Sequence, residues 1–190
     1  MKVLAITGSR NPEGKTAQAV EALLQGVSHD GDQGENVFLP EMKIERCHQC
    51  EDDGWGRCRT EGQCEIEDDF AGLVEKIRQA DAVAFATPVY FGDLSESLRA
   101  FLERLRRTCV HEAGKKGLTE KPAIGICVAG GGGGGAPPCT VSLEKVLSGC
   151  GFDIVDMIPA RKQNLELKRT VLKTTGQWLT EYASSQHNPA

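Results

Sequence analysis

Short apolar runs and longer, interrupted apolar repeats take turns along this chain. Runs of strand character cover Lys2–Thr7, Asn36–Leu39, Ala82–Ala86, Ala123–Ala129 and Asp153–Ile158. Between and after them, apolar residues recur every three to four positions, the spacing that gathers them on one side of a helix. Val20, Leu23, Leu24 and Val27 form one such stripe, and Phe70, Leu73, Val74 and Ile77 a second. Leu94, Leu98, Phe101, Leu102 and Leu105 form a third; Leu143, Val146, Leu147 and Cys150 form a fourth. A last helix carries Val171, Leu172, Thr175, Trp178, Leu179 and Tyr182. Asp93 and Glu96 have the spacing of a capping box at the start of the third helix.

Strands that alternate with helices pair in parallel, because each crossover helix returns the chain to the same end of the sheet. The pattern therefore predicts an α/β fold, a three-layer sandwich with a five-stranded parallel sheet between helices. Five strands in a chain of 190 residues favour the flavodoxin-like order 2-1-3-4-5. Residues 1–183 read as one domain and residues 184–190 as a disordered tail. One stretch escapes the alternation. Residues 42–68, polar and cysteine-rich, make an excursion between the second strand and the second helix.

A hydrophobic content of 39% suits a chain with a core of its own. No stretch approaches the ~20 apolar residues needed to span a bilayer. The opening MKVLAITGSR lacks the apolar region and small-residue cleavage site of a secretory signal, so a cytoplasmic location is expected. A formal net charge of -5 makes nucleic acid and anionic membranes poor partners. The basic clusters RLRR, Arg104 to Arg107, and ARK, Ala160 to Lys162, read as solvated faces. Eight cysteines in a reducing compartment point away from disulfides and toward metal, cluster or redox chemistry. Of these, Cys127 and Cys150 read as core residues, while Cys109 and Cys139 fit no pattern. His48 and His111 read as exposed and without partners.

The segment TGSRNPEGKT, Thr7 to Thr16, follows the first strand and ends like a nucleotide triphosphate-binding loop. That loop has the pattern G-x4-G-K-[ST], and here Ser9 stands at its first position. The apolar strand ending in a magnesium-binding aspartate is also missing: AVAFA runs into TPVYFG. A turn whose backbone amides and helix N-terminus hold a single phosphate fits better, with Ser9, Asn11, Lys15 and Thr16 as side-chain donors. In an open α/β sheet the ligand crevice lies beyond the carboxyl ends of the strands at the switch point, here the first and third.

The third strand ends in TPVYFGDLSESLRAF. With it, the chain resembles the NADPH-dependent FMN reductase family of flavodoxin-like proteins, and in particular its iron–sulfur flavoprotein branch. Three segments carry the resemblance. A phosphate loop is matched by Gly8, Ser9, Asn11, Gly14, Lys15 and Thr16; [ST]-P-V-Y-F-G is matched by Thr87 to Gly92; and a glycine-rich loop after the fourth strand is matched by Gly130 to Gly135. The resemblance implies FMN as cofactor, NAD(P)H or a ferredoxin-like protein as electron donor, and a homodimer or homotetramer. It implies FMN contacts at the phosphate loop, at Pro88, Val89, Tyr90, Phe91 and Gly92, and at Gly130, Gly131 and Gly132. No catalytic side chain is expected, because hydride reaches the flavin ring and the cofactor carries the chemistry. A non-enzymatic, flavodoxin-like electron carrier is the alternative, and a nucleotide hydrolase a remote third.

Within the excursion, CHQCEDDGWGRCRTEGQC spaces Cys47, Cys50, Cys58 and Cys64 as C-x2-C-x7-C-x5-C. The iron–sulfur flavoprotein branch holds a [4Fe–4S] cluster at this point of the chain, and four clustered thiolates suit one. That branch has two residues between its second and third cysteines, where this chain has seven. Zinc bound by all four thiolates, a CHQC redox pair and metal-free thiols in a dimer arm remain the other readings. In the metal-bound readings, Trp55 would shield the centre between Gly54 and Gly56.

Overall fold

A computed structural model describes residues 1–27 and 32–187, the last three of these as helical backbone alone. Five parallel strands form one sheet: β1 (Lys2–Thr7), β2 (Gln33–Phe38), β3 (Ala82–Pro88), β4 (Pro122–Ala129) and β5 (Asp153–Arg161), in the order β2-β1-β3-β4-β5. Both the fold class and the strand order are as the sequence predicts. Among the described residues, six α-helices lie between the strands and a seventh follows the last one: α1 (Lys15–Val27), α2 (Arg57–Thr60), α3 (Phe70–Gln79), α4 (Glu96–Thr108), α5 (Glu112–Lys115), α6 (Ala136–Cys150) and α7 (Leu165–His187). β2 starts earlier than the apolar pattern suggests, at Gln33, because an edge strand needs fewer buried side chains to stay paired.

Each central strand feeds two cores. Leu4 and Ile6 of β1, Val83 and Phe85 of β3 and Cys127 of β4 point to the side covered by α3, α4 and α6. Val3 and Ala5, Ala82, Ala84 and Ala86, and Ile124, Ile126 and Val128 point to the side of α1 and α7. On that second side β3 offers only alanines, and the two helices themselves cross on glycines. A Cβ on Gly26 would run into the backbone of Lys173, and one on Gly176 into the backbone of Leu23. The close crossing lets the backbones of α1 and α7 touch over the middle of the sheet.

The structure corrects three local expectations. Ser95, not Asp93, caps α4: its hydroxyl accepts from the Leu98 N–H, while Asp93 Oδ1 accepts from the Leu94 N–H and pairs with Arg99. His111 caps α5, its Nδ1 accepting from the Ala113 N–H, and His48 lies 2.9 Å from Glu45 Oε2, so both histidines have partners. Helix α7 runs on to His187, past the boundary expected at Ala183; residues 188–190 of the expected tail lie outside the described residues. All four isolated cysteines are buried. Of these, the Cys109 thiol donates to Gly114 O at 3.9 Å.

Replacing Gly176 by alanine should push α7 off α1. Overpacking of this kind costs about 1–3 kcal/mol, more than alanine's intrinsic gain within a helix. The urea midpoint should fall, and a midpoint that stays level or rises would contradict the backbone contact at this crossing.

Candidate functional site

β1 and β3 end side by side, and their outgoing loops are tied together. The Gly8 N–H donates to Ala86 O at 2.8 Å, and Ser97 Oγ donates to Gly8 O at 3.2 Å. A Cβ at Gly8 would collide with Ser95 Oγ, so only glycine lets the capped end of α4 lie against the first loop. The β1–α1 loop and the N-terminus of α4 therefore meet at one crevice at the switch point. A cavity of about 590 Å³ opens there, lined in part by Gly8, Arg10, Tyr90, Ser95 and Ser97.

The first loop is shaped by two of its expected ligand residues. Ser9 Oγ accepts from the Asn11 N–H at 3.2 Å and lies 3.3 Å from Asn11 O, while Asn11 Oδ1 accepts from the Glu13 N–H at 2.9 Å. The Gly14 N–H closes the turn on Asn11 O at 3.0 Å. Ser9 and Asn11 thus hold the loop's form. Lys15 and Thr16 open α1, Lys15 exposed and Thr16 buried, where the first helical N–H groups have no acceptor within the helix. Such a terminus is suited to a phosphate.

The β3–α4 loop is a tight turn. Tyr90 and Asp93 exchange two backbone hydrogen bonds of 2.9 Å, and Phe91 and Gly92 between them have φ values of 52° and 80°. A Cβ on Gly92 would meet nothing nearer than 3.9 Å, so its conformation, not crowding, requires glycine. Phe91 has no such licence. An aromatic residue in the left-handed region stores on the order of 1–2 kcal/mol, and this one is fully exposed with no packing in return. Such strain is typical of a residue aimed at a ligand or partner. Beneath the turn, buried Thr87 Oγ1 accepts from the Ser95 N–H and donates to Pro88 O, and the Val89 N–H donates to Val128 O.

The glycine run follows β4 on the other flank of this turn. Gly135 touches it: a Cβ there would lie 2.8 Å from Gly92 Cα and 3.0 Å from Val89 Cγ1. Gly133, with φ of 87°, lies under the Arg161 side chain. Gly130, Gly131, Gly132 and Gly134 have open space where a side chain would go. Nothing within the chain demands glycine at those four, which leaves room for close approach by something outside it. Pro88, Val89, Tyr90, Phe91 and Gly92 are thus gathered with the β1–α1 loop on one side and the glycine run on the other.

The excursion is closed at its neck. Lys43 and Asp69 are joined through the Lys43 N–H to Asp69 Oδ2 at 2.7 Å and the Asp69 N–H to Lys43 O at 3.0 Å. Next to this, Arg104 NH1 and NH2 grip both oxygens of Asp68 at 2.6 and 2.9 Å. The two side chains are 1% and 0% exposed. Burial alone would raise the Asp68 pKa, but the guanidinium and the N–H groups of Glu45 and Phe70 outweigh it and hold the carboxyl below its usual range. Arg104 also donates to Glu45 O and Ile66 O, and its Nε lies 3.3 Å from Cys64 Sγ.

The neck carries the four cysteines to one place. Cys47, Cys50, Cys58 and Cys64 line a single small cavity together with Arg104 and Arg107. A single tetrahedral metal would need their sulfurs ~3.8 Å apart, from metal–sulfur bonds of ~2.3 Å. Among the described residues no three potential ligands are gathered that tightly. Burial, then the neighbouring Glu65 carboxylate, push the Cys50 thiol above its ordinary range. Trp55 lies on the Arg107 guanidinium at 4.0 Å, with Arg59 at 5.6 Å from the same ring.

The sequence profile of the NADPH-dependent FMN reductase family matches residues 1–162, which takes in all three loops and the excursion. The chain belongs to this family. An iron–sulfur flavoprotein of Methanocaldococcus jannaschii is 34% identical over 106 residues, 56% of this chain and 52% of that protein. One from Methanosarcina thermophila is 31% identical over 104 residues, 55% of this chain and 52% of that protein. The matched segment thus spans about half the length of these relatives. The fold is shared with RosB bound to 8-demethyl-8-formylriboflavin-5′-phosphate, at a TM-score of 0.75 and 19% identity, covering 100% of this chain and 82% of that one. It is shared also with an NAD(P)H:quinone oxidoreductase of Methanothermobacter marburgensis, at 0.68 and 22%, covering 94% and 96%.

For a member of the FMN reductase family, the residues that sequence reasoning missed are on α4. Arg104 and Arg107, expected on a solvated face, are 1% and 9% exposed, and only Arg106 of the three arginines is solvated. The signal was present: Arg104 stands three residues after Phe101, on the apolar stripe itself. Asp68→Asn should leave the Arg104 charge buried without its counterion. Breaking such a pair costs about 3–5 kcal/mol, read as a lowered urea midpoint at neutral pH. Because folding depresses the Asp68 pKa, the wild-type pair contributes fully above the unfolded carboxyl's value of ~3.9. Its contribution fades as the pH falls from there through the folded value. The stability gap between the two proteins should therefore narrow in acid, and a gap independent of pH would contradict the pairing.

Proposed function

We propose that this chain is an FMN-dependent oxidoreductase that takes electrons from NAD(P)H or a ferredoxin-like donor and passes them to a small-molecule or protein acceptor. The observation that carries the reading is the meeting of three loops at the switch point: an open helix N-terminus, a strained turn, and a glycine run with four positions left open toward the outside. Bound FMN would supply reversible two-electron and one-electron chemistry at its ring. The chain's own residues hold and orient it. The α1 N-terminus with Lys15 and Thr16 takes the phosphate, Ser9 and Asn11 keep the loop in shape, and the backbone from Pro88 to Gly92 borders the ring. Tyr90 and Phe91 wall its exposed side, and Gly130, Gly131 and Gly132 admit the nicotinamide. We infer further that Cys47, Cys50, Cys58 and Cys64 hold a [4Fe–4S] cluster. Four thiols that line one cavity, each able to bind one iron, support this reading.

Thr16→Ala should weaken FMN by about tenfold or more, since a charge-assisted hydrogen bond contributes roughly 1.5–3 kcal/mol. Riboflavin, which lacks the phosphate, should be affected much less. Equal loss for both ligands, measured by flavin fluorescence quenching, would remove the phosphate from this loop. Anaerobically purified protein tests the whole reading. It should show resolved flavin bands above a broad brown absorbance, contain about four irons and matching sulfide per chain, and oxidise NADPH when a quinone or free FMN is added. Colourless protein that never takes up FMN would overturn the flavin assignment. About one zinc, or no metal, in yellow protein would overturn the cluster alone.

A further inference from the structure

Arg107 is buried against the cysteine cavity in an unusual state. Its NH2 donates to Gly54 O, NH1 is 4.0 Å from Glu103, and the guanidinium is covered by Trp55. Its Nε–H has no acceptor, and among the described residues it is the buried side-chain nitrogen or oxygen left without one. An unpaired buried donor on a charged group is costly, and native structures keep one only for a reason. Arg104, one helical turn earlier and on the wall of the same cavity, already uses its Nε–H on the Cys64 sulfur, at 3.3 Å. The two guanidiniums thus stand beside four cysteine sulfurs, one bonded to a sulfur and one awaiting an acceptor.

Resting on the cluster reading above, we propose that Arg104 and Arg107 donate Nε–H···S hydrogen bonds to the iron–sulfur centre and hold its reduction potential up. A cluster bound by four thiolates is an anion, and one-electron reduction adds a further negative charge. Two directed Nε–H groups, one of them on the Arg107 guanidinium that lies beside the cavity, stabilise the reduced form more than the oxidised one. Hydrogen bonds to the sulfurs and local charge are among the levers that set such potentials. Both arginines are immobilised by the protein and not by the centre: Arg104 by Asp68, Arg107 by Trp55 and Gly54. They are therefore in place before any metal binds and need no rearrangement on electron transfer. They act as positioning and tuning residues, and the effect is to keep the centre reducible by the flavin's own donor.

The test compares wild-type protein with Arg107→Met, both prepared anaerobically, by iron and sulfide content and by redox titration followed by electron paramagnetic resonance. Methionine fills much of the same space and removes a buried charge together with its unsatisfied Nε–H, so folding should be preserved. The expected result is unchanged iron with a lowered midpoint potential, by at least the tenfold change in reduced-to-oxidised ratio that corresponds to about 59 mV for one electron. In wild-type protein, exchange into deuterium oxide should also shift the iron–sulfur stretching bands in the resonance Raman spectrum, and the shift should shrink in the variant. If Arg107→Met does not retain iron, Arg107→Lys, which keeps the charge and loses the Nε–H, takes its place and should give an intermediate potential. Full iron with unmoved potential and an unchanged deuterium shift would overturn the tuning role and leave the cluster standing. Wild-type protein without iron would overturn the cluster and, with it, this proposal.

Discussion

A guanidinium and a carboxylate that are both shut away from water can persist only as a pair, and the Arg104–Asp68 fork is such a pair. Its position matters more than its energy. Asp68 stands at the exit of a polar excursion that has almost no core of its own, and Arg104 on a helix packed into the main core. The fork, with the Lys43–Asp69 clasp beside it, converts a long loop into a fixed attachment. With those ends fixed, the intervening cysteines share one cavity.

Helix α4 joins that cavity to the crevice at the switch point. Its capped end lies against Gly8 and the β3–α4 turn, and its buried arginines line the cysteine cavity. From Ser95 to Arg104 is nine residues, roughly 14 Å along a helix rising ~1.5 Å per residue. The two places where redox groups are proposed are therefore set apart by one packed helix. A packed helix holds such a separation because its core side, Leu98, Phe101, Leu102 and Leu105, has no slack.

The crevice itself combines rigid and open parts. Thr87, Gly8 and Gly135 are locked by buried contacts, and beside them the Tyr90–Asp93 turn holds Phe91 in a backbone conformation it would otherwise avoid. The four open glycines lie next to that rigid turn. A rigid wall beside an open one suits a tightly held cofactor that meets an exchanging substrate, since only the second partner needs room to enter and leave.

The sequence by itself determined the layers, because periodicity operates over a few neighbouring residues. The strand order was favoured by the number of strands and the size of the chain, and the three loops at the sheet's carboxyl edge were marked by resemblance to the FMN reductase family. The sequence also marked Cys47, Cys50, Cys58 and Cys64 as a set, because their spacing is short. It could not determine the cap of α4, since Asp93 and Ser95 are both good capping residues and only the contact with Gly8 selects the serine. Nor could it place Arg104 and Arg107 inside, because an arginine in a helical stripe is solvated unless a carboxylate arrives from elsewhere. Asp68 lies 36 residues away in the chain. Only folding brings the two charges together, and only then does leaving water become tolerable for either.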